Sequence, residues 1–178
     1  MLESTTGTKK FAPGICIGLG SNMGEAESNV AKALVHVAEL PGVRVVARSP
    51  VYRTEPQDFR DQAWFLNQVA MLECSAWWTP QRLMHSLLSI ESRMGRNRIG
   101  PEKGPRIIDI DLLTFGTTIC LGTDLVLPHP RMHRRAFVLV PLFDLDPEFV
   151  IPGPNSSRID AVLANLRFTV ENGLIRQK

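Results

Sequence analysis

The stretch Ile107-Ile-Asp-Ile-Asp-Leu-Leu113 constrains this chain more than any other part of it. In an extended strand Asp109 and Asp111 point to one face, about 6 to 7 Å apart along the backbone, while Ile108, Ile110 and Leu112 point to the other. The apolar face has to be buried, which anchors the strand in a core. On the opposite face two carboxylates repel each other and call for positive charge. A cation is the natural compensation, and an all-oxygen donor pair suits Mg²⁺, whose shell phosphate oxygens usually complete. An exposed aspartate pair salt-bridged to neighbouring arginines satisfies the same electrostatics, and spacing alone does not separate the two.

Around this strand the hydrophobic pattern lays out a small mixed fold. Gly14-Ile-Cys-Ile-Gly-Leu-Gly20 is a short apolar run between turn formers and predicts a buried strand ending at Ser21-Asn22. Over 26–40 the apolar positions Val30, Ala33, Leu34, Val37 and Ala38 recur at helical spacing until Pro41-Gly42 stops them. Residues 43–52 and 64–72, rich in β-branched and aromatic side chains, predict two strands joined by a loop carrying Glu55-Pro-Gln-Asp-Phe-Arg60. Thr79-Pro80 supplies the N-cap and first turn of a second helix, in which Leu83, Leu87, Ile90 and Met94 share a face and Gly95 marks the end. A strand over 106–115 completes the order strand, helix, strand, strand, helix, strand, which suits an α+β sheet with helices on one face. Beyond it the sequence predicts only supporting structure: a short strand over 125–128, a short helix over 137–145 and a C-terminal helix over 159–166.

Composition narrows the class. With 178 residues and 44% hydrophobic content, the chain can bury one substantial core, so 14–178 is expected as a single domain behind a disordered tail, 1–13. A formal net charge of +2 gives no general attraction to nucleic acid or an anionic membrane. No apolar run approaches the roughly 18 residues of a membrane span, and residues 1–13 lack the apolar core of a signal peptide. A cytoplasmic protein without nucleic acid or membrane partners is expected, its oligomeric state left open by the sequence, a monomer included. Cys16, Cys74 and Cys120 stand far apart and are expected as reduced thiols.

Charge is instead local. Arg93, Arg96, Arg98, Lys103 and Arg106 fall within 14 positions opposed only by Glu102, and Arg131, His133, Arg134 and Arg135 follow Pro128-His129-Pro130. Arginine forks suit phosphate oxygens, although a solvated face is the plain alternative for each cluster. Gly95, Gly100, Pro101, Gly104 and Pro105 punctuate the first cluster, as in a loop able to close over a ligand. Gly18-x-Gly20 has Met23 where a dinucleotide fingerprint needs glycine, and no G-K-[ST] occurs, so neither Rossmann nor P-loop binding applies. Gly20-Ser-Asn-Met-Gly24 reads as a tight strand-to-helix turn.

Several motifs, taken in order, resemble one family. They are Gly18-Leu-Gly-Ser-Asn22, Tyr52-Arg-Thr-Glu-Pro56, Phe65-Leu-Asn67, Glu91 with Gly95-Arg-Asn-Arg98, Gly104-Pro-Arg-Ile-Ile-Asp-Ile-Asp-Leu-Leu113, and Leu127-Pro-His-Pro-Arg131 with Arg135-Ala-Phe137. Over about 15–152 they resemble the 6-hydroxymethyl-7,8-dihydropterin pyrophosphokinases. The resemblance implies a ferredoxin-like α+β fold, an antiparallel sheet with helices packed on it as an αβα sandwich. It also implies transfer of pyrophosphate from ATP to the hydroxyl of the pterin, two Mg²⁺ ions, and AMP plus the pterin diphosphate as products. Residue by residue, it implies Asp109 and Asp111 as ligands of both ions, and Arg96 and Arg106 as catalytic arginines acting on the phosphates. It puts Glu91, Arg98, Leu112, His129 and Arg135 at the ATP, Arg98 also shaping the basic loop. The pterin side falls to Thr54, Glu55, Pro56, Phe65, Asn67 and Phe137, with both phenylalanines sandwiching the ring and Asn67 and Thr54 bonding its polar edge. Gln57-Asp58, Leu88, Lys103 and Arg134 depart from the family pattern.

Two other classes fit parts of the sequence. A different Mg²⁺-dependent nucleotidyl or phosphoryl transferase shares the aspartate pair but does not need the set Phe65, Asn67 and Phe137. An RNA-binding module on a ferredoxin-like sheet needs an RNP-type aromatic pattern that this chain lacks.

Overall fold

The structure, a computed structural model, describes residues 14–57, 59–96, 104–154 and 156–178. The expected tail, 1–13, lies outside the described residues, as do Asp58, Arg98 and Lys103. Strand β1 (Ile15–Ser21) is an inner strand of a sheet, one place from its edge, and helix α1 (Ala26–Ala38) returns the chain across it. Strands β2 (Val43–Arg48), β3 (Tyr52–Thr54) and β4 (Phe65–Cys74) follow, then helix α2 (Pro80–Arg93) and strand β5 (Asp109–Thr114). Thr79 caps α2 as its sequence predicts, its hydroxyl accepting from Arg82 N at 3.3 Å, with Pro80 in the first turn.

The single strand expected over 43–52 is broken in two. Pro50 has no N–H to give a ladder, and Ser49 turns its hydroxyl to accept from Val69 N at 3.1 Å. Consequently β2 pairs with the 70–74 end of β4 and β3 with its 65–67 end, both antiparallel. β1 lies between β4 and β5, antiparallel to each, with Gly20 opposite both Asn67 and Asp109 and Gly18 opposite Asp111.

Alternation along the strands divides the core. Ile17, Leu19, Ala70, Leu72, Ile110 and Leu112 face α1 and α2, meeting Val30, Val37, Leu83, Leu87 and Ile90. Cys16, Val69, Met71 and Leu113 face the opposite side, under helix α3 (Ala136–Leu145) and helix α4 (Ile159–Leu163), which contribute Val138, Leu139, Leu142 and Ile159. Each Val, Leu, Ile or Met side chain among them contributes about 1.5 to 3 kcal/mol on leaving water, before conformational entropy is counted. Element order suggested helices on one face; they cover both, as the family resemblance implies. Short strands β6 (Cys120–Leu121) and β7 (Val126–Leu127) form a separate hairpin, and β8 (Val150–Ile151) with β9 (Ser157–Arg158) another.

The C-terminal helix stops at Leu163, short of the expected Leu166, and is followed by a hairpin that periodicity did not predict. Strands β10 (Phe168–Glu171) and β11 (Leu174–Gln177) are joined by Asn172-Gly173, both at positive φ (48° and 75°), a two-residue turn that Asn-Gly favours. β11 then adds to the main sheet parallel to β3, giving the order β10-β11-β3-β4-β1-β5. The three cysteines are free, and among the described residues no helix is long and apolar enough to cross a membrane.

Candidate functional site

Asp109 and Asp111 leave β5 on the face opposite Ile108, Ile110 and Leu112, which are 0%, 4% and 5% exposed. The neighbouring strand offers them only glycine. A Cβ at Gly20 would come within 2.8 Å of Asn67 Oδ1, so the absence of a side chain there opens a floor between β5 and β4. Over this floor lies a first cavity lined by Thr54, Glu55, Phe65, Asn67, Arg106, Arg135 and Phe137, together with Gln57, Gln62 and both aspartates. Asn67 is fixed within it, donating from Nδ2 to Thr54 Oγ1 at 2.6 Å.

β5 is the edge of the sheet, and a second cavity opens beside it. Its lining includes Leu88, Glu91, Arg96, Leu112, Thr123, Asp124, His129 and Pro130, and again Asp109 and Asp111. The two aspartates are the residues common to both cavities.

Each carboxylate is held by arginine. Asp109 meets Arg96 at 2.5 Å and Arg106 Nε at 3.3 Å, and Asp111 meets Arg135 at 3.2 Å with His129 Nε2 3.9 Å away. Arginines thus neutralise both carboxylates, and the two readings that spacing left open, ion pairs and a cation site, share these residues. Arg106 and Arg135 also lie over aromatic rings, 4.9 Å from the centroid of Phe65 and 5.3 Å from that of Phe137. Arg106 Nε is buried and faces Asp109 Oδ2 at 3.3 Å without the geometry of a hydrogen bond.

Glu91 is 2% exposed and organises the second cavity from below. Its Oε1 accepts from Ile110 N at 2.7 Å and pairs with Arg96, tying α2 to β5 and aiming the guanidinium at Asp109. Burial works against the charge on Arg96, but the Asp109 and Glu91 carboxylates outweigh it and raise its pKa. Burial lowers the pKa of His129, with Arg135 and Arg131 adding to the effect and Asp111 opposing it. The ring is thus neutral at neutral pH. Its Nδ1 accepts from Arg131 N at 3.2 Å, which leaves the proton on Nε2, toward Asp111. Arg135 is likewise lowered, first by burial.

Most sequence-predicted positions converge. Thr54, Glu55, Phe65, Asn67 and Phe137 line the first cavity with Arg106 and Arg135; Glu91, Arg96, Leu112 and His129 line the second. Arg135 was expected with the nucleotide set but lines the first cavity. Pro56 faces a neighbouring depression with Arg60, Trp64 and Gln177 rather than the first cavity. Arg98 is outside the described residues. Reading by motif missed Gln62 and the work of Asn22. Asn22 Oδ1 accepts from Arg106 N at 2.8 Å, while its Nδ2 donates to Gln62 Oε1 at 2.9 Å and Ala63 O at 3.0 Å. The turn after β1 therefore sets the position of Arg106. An amide residue at a strand end was the available signal.

The sequence profile of the 7,8-dihydro-6-hydroxymethylpterin-pyrophosphokinase (HPPK) family matches residues 16–147. The chain belongs to this family. A 2-amino-4-hydroxy-6-hydroxymethyldihydropteridine pyrophosphokinase of Methylorubrum extorquens is 46% identical over 137 residues, covering 77% of this chain and 85% of that one. The folic acid synthesis protein fol1 of Pneumocystis carinii is 36% identical over 138 residues, or 78% of this chain and only 18% of the relative. Among solved structures, the HPPK-DHPS of Plasmodium falciparum with pteroate superposes with a TM-score of 0.66 at 14% identity, over 90% of this chain and 46% of that one. That likeness supports the α+β fold. All the candidate site residues fall inside the HPPK-matched span, whereas β8 to β11 lie beyond it.

Proposed function

We propose that this HPPK-family chain transfers pyrophosphate from ATP to the hydroxymethyl group of 6-hydroxymethyl-7,8-dihydropterin, releasing AMP and the pterin diphosphate for folate synthesis. The observation that carries the reading is the sharing of Asp109 and Asp111 between an aromatic, amide-lined cavity and a second cavity lined by Arg96, His129 and the apolar Leu112. A flat heterocycle suits the first: Phe65 and Phe137 supply stacking surface, and Asn67, held by Thr54, addresses the polar edge of the ring. The nucleotide then occupies the second, with Leu112 against the base or ribose and His129 donating from Nε2. The reacting hydroxyl and the β-phosphorus meet at the aspartate pair.

Two carboxylates without a third protein ligand suit Mg²⁺ that shares its shell with substrate phosphates; among the described residues no group of three or more His, Cys, Asp or Glu stands ready for an ion. Asp109 and Asp111 would hold two such ions, which when bound stabilise charge on the phosphoryl oxygens. Arrival of an anionic polyphosphate offers Arg96, Arg106 and Arg135 new partners, and Arg106 Nε, which meets Asp109 without a hydrogen bond, has most to gain. The pterin hydroxyl oxygen attacks the β-phosphorus and its proton passes to solvent, the bond from the β-phosphorus to the α,β-bridging oxygen breaks, and AMP leaves with that oxygen. Glu91 acts by positioning, since its carboxylate is occupied by Ile110 N and Arg96. In this reading Arg98, outside the described residues, acts on the ATP, and residues 14–178 work as one catalytic domain in the cytoplasm.

AMP release from ATP and Mg²⁺, measured with and without the hydroxymethyl pterin, tests the proposal. Strictly pterin-dependent AMP is expected; AMP formation indifferent to the pterin removes the reading.

A further inference from the structure

The segment beyond residue 147 is outside the family-matched span, yet its last strand touches both walls of the first cavity. β11 sets Ile175 opposite Thr54, with Arg53 N donating to Gly173 O at 2.9 Å and Glu55 N to Ile175 O at 3.4 Å. On its other side Ile175 is buried against Ala136 and Val140 of α3. One side chain makes this link directional. α3 begins at Ala136 behind Arg135, whose side chain makes no capping hydrogen bond, and no Ser, Thr, Asp or Asn stands there to supply one. Gln177 supplies it from across the fold: Oε1 accepts from Ala136 N at 2.8 Å and Nε2 donates to Arg134 O at 2.7 Å.

The two bonds bracket Arg135, the residue that pairs with Asp111 and lies over Phe137. A carboxamide is matched to this task, because it carries one donor and one acceptor at the spacing of a C=O and an N–H two residues apart. We infer that Gln177 is a positioning residue for the reaction, holding Arg135 and Phe137 at the start of α3 against the β3 wall of the pterin cavity. This rests on the assignment of that cavity to the pterin. The C-terminal hairpin is thereby part of the site's scaffold although none of its side chains lines the first cavity.

Gln177→Met keeps the length and bulk of the side chain while removing both hydrogen bonds; Gln177→Glu keeps the acceptor and loses the donor. Amide exchange at Ala136, pterin affinity and affinity for a non-hydrolysable ATP analogue are measured for both, beside Phe137→Ala. In Gln177→Met, Ala136 exchange quickens by about tenfold and the pterin dissociation constant rises about fivefold to tenfold, as for a lost helix cap. Nucleotide affinity stays within about twofold, and Gln177→Glu falls between parent and Gln177→Met. Unchanged Ala136 exchange removes the clamp without reference to any ligand. Pterin affinity unchanged in Gln177→Met but weakened in Phe137→Ala overturns the positioning role and leaves the cavity assignment standing. Equal weakening of pterin and nucleotide in Gln177→Met also overturns it, since that marks a general loss of structure. Pterin affinity untouched by Phe137→Ala sinks the cavity assignment, and the positioning role with it.

Discussion

The cavity on the Phe65 side of the aspartate pair takes its floor and one wall from paired strands, whereas the cavity on the Leu112 side is assembled from a helix, a sheet edge and the connection carrying Thr123 to Pro130. In the first, the polar pair that addresses the ring is bonded within the protein. Asn67 and Thr54 are 8% and 2% exposed and bonded to each other, and glycines 18 and 20 keep the floor clear. In the second, charged groups compensate one another across short distances, Glu91 with Arg96 and Arg96 with Asp109. A preformed slot favours recognition of a rigid neutral ring, because little order remains to be gained on binding. A set of mutually paired charges is suited to rearrangement, because an incoming polyanion and its cations can exchange every partner. The aspartates belong to both regimes, and substitutions should therefore grade from chemistry to recognition across them.

The largest effect is expected at the pair itself. Asp109→Ala and Asp111→Ala should each reduce turnover by about a thousandfold or more, through lost metal ligation and through arginines left without their carboxylates. Pterin affinity should fall much less, because the stacking walls remain. Far-UV circular dichroism controls for folding. Near-normal turnover of either variant at saturating Mg²⁺ would end the metal assignment and, with it, the distinction between the two cavities.

Next come the arginines that bridge the regimes. Negative charge moves to the leaving AMP oxygen during transfer, and a guanidinium placed there stabilises the transition state more than ground-state ATP. Arg106→Ala and Arg96→Ala should lose about 3 kcal/mol, roughly a hundredfold, in single-turnover rate at saturating substrates. Arg106 is the sharper case, being fixed by Asn22 and set with its Nε 3.3 Å from Asp109. Normal saturated rates with weakened binding would reduce both residues to substrate holders.

The two cavities also differ in how far the amino-acid sequence alone makes them legible. Elements whose apolar residues keep one period, such as β1, α1, α2 and the Ile108, Ile110, Leu112 face of β5, are legible because local pattern and global burial agree there. The motif residues of the first cavity converge because register carries them: Gly20 is opposite Asn67, and Phe65 is opposite Thr54. The pairing of Asp109 with Arg96 and of Asp111 with Arg135 is not legible. Those partners are 13 and 24 positions apart, and only the tertiary fold chooses between them and solvent. The β10–β11 hairpin, which helical and strand periodicity did not predict, does carry a local signal, for Asn172-Gly173 between Phe-Thr-Val-Glu and Leu-Ile-Arg-Gln is a strong hairpin turn. Its parallel addition to β3 and the reach of Gln177 to α3 have no local trace.

Within the first cavity, Phe137→Ala removes stacking surface that a heterocycle cannot regain from water. Pterin affinity should drop by about 1 to 3 kcal/mol. Because Arg135 loses the ring beneath it, a small effect on nucleotide binding is expected as well. Calorimetric titration that finds the two ligands weakened equally would show that the cavities are not energetically separate.

The smallest predicted effect is the most selective. Thr54→Val is nearly isosteric, yet it deletes the oxygen that accepts the Asn67 amide at 2.6 Å. Thr54 is almost wholly buried, so water cannot readily replace the lost acceptor, and Asn67 Nδ2 becomes a buried donor without a partner. Such a donor costs about 1 to 3 kcal/mol of stability, and the freed amide can also swing away from its bonded orientation. Pterin affinity should fall about fivefold, on the order of 1 kcal/mol, while affinity for an ATP analogue is unchanged because neither Thr54 nor Asn67 lines the second cavity. Thr54→Ser restores the hydroxyl without the methyl and should recover most of the loss. Thermal unfolding of the two variants separates the stability cost, which ligand-free protein shows, from the recognition cost, which only the pterin titration shows. Should Thr54→Val weaken the nucleotide as much as the pterin, or Thr54→Ser fail to recover, the bonded amide is not what prepares this cavity and the contrast with its neighbour loses its physical basis.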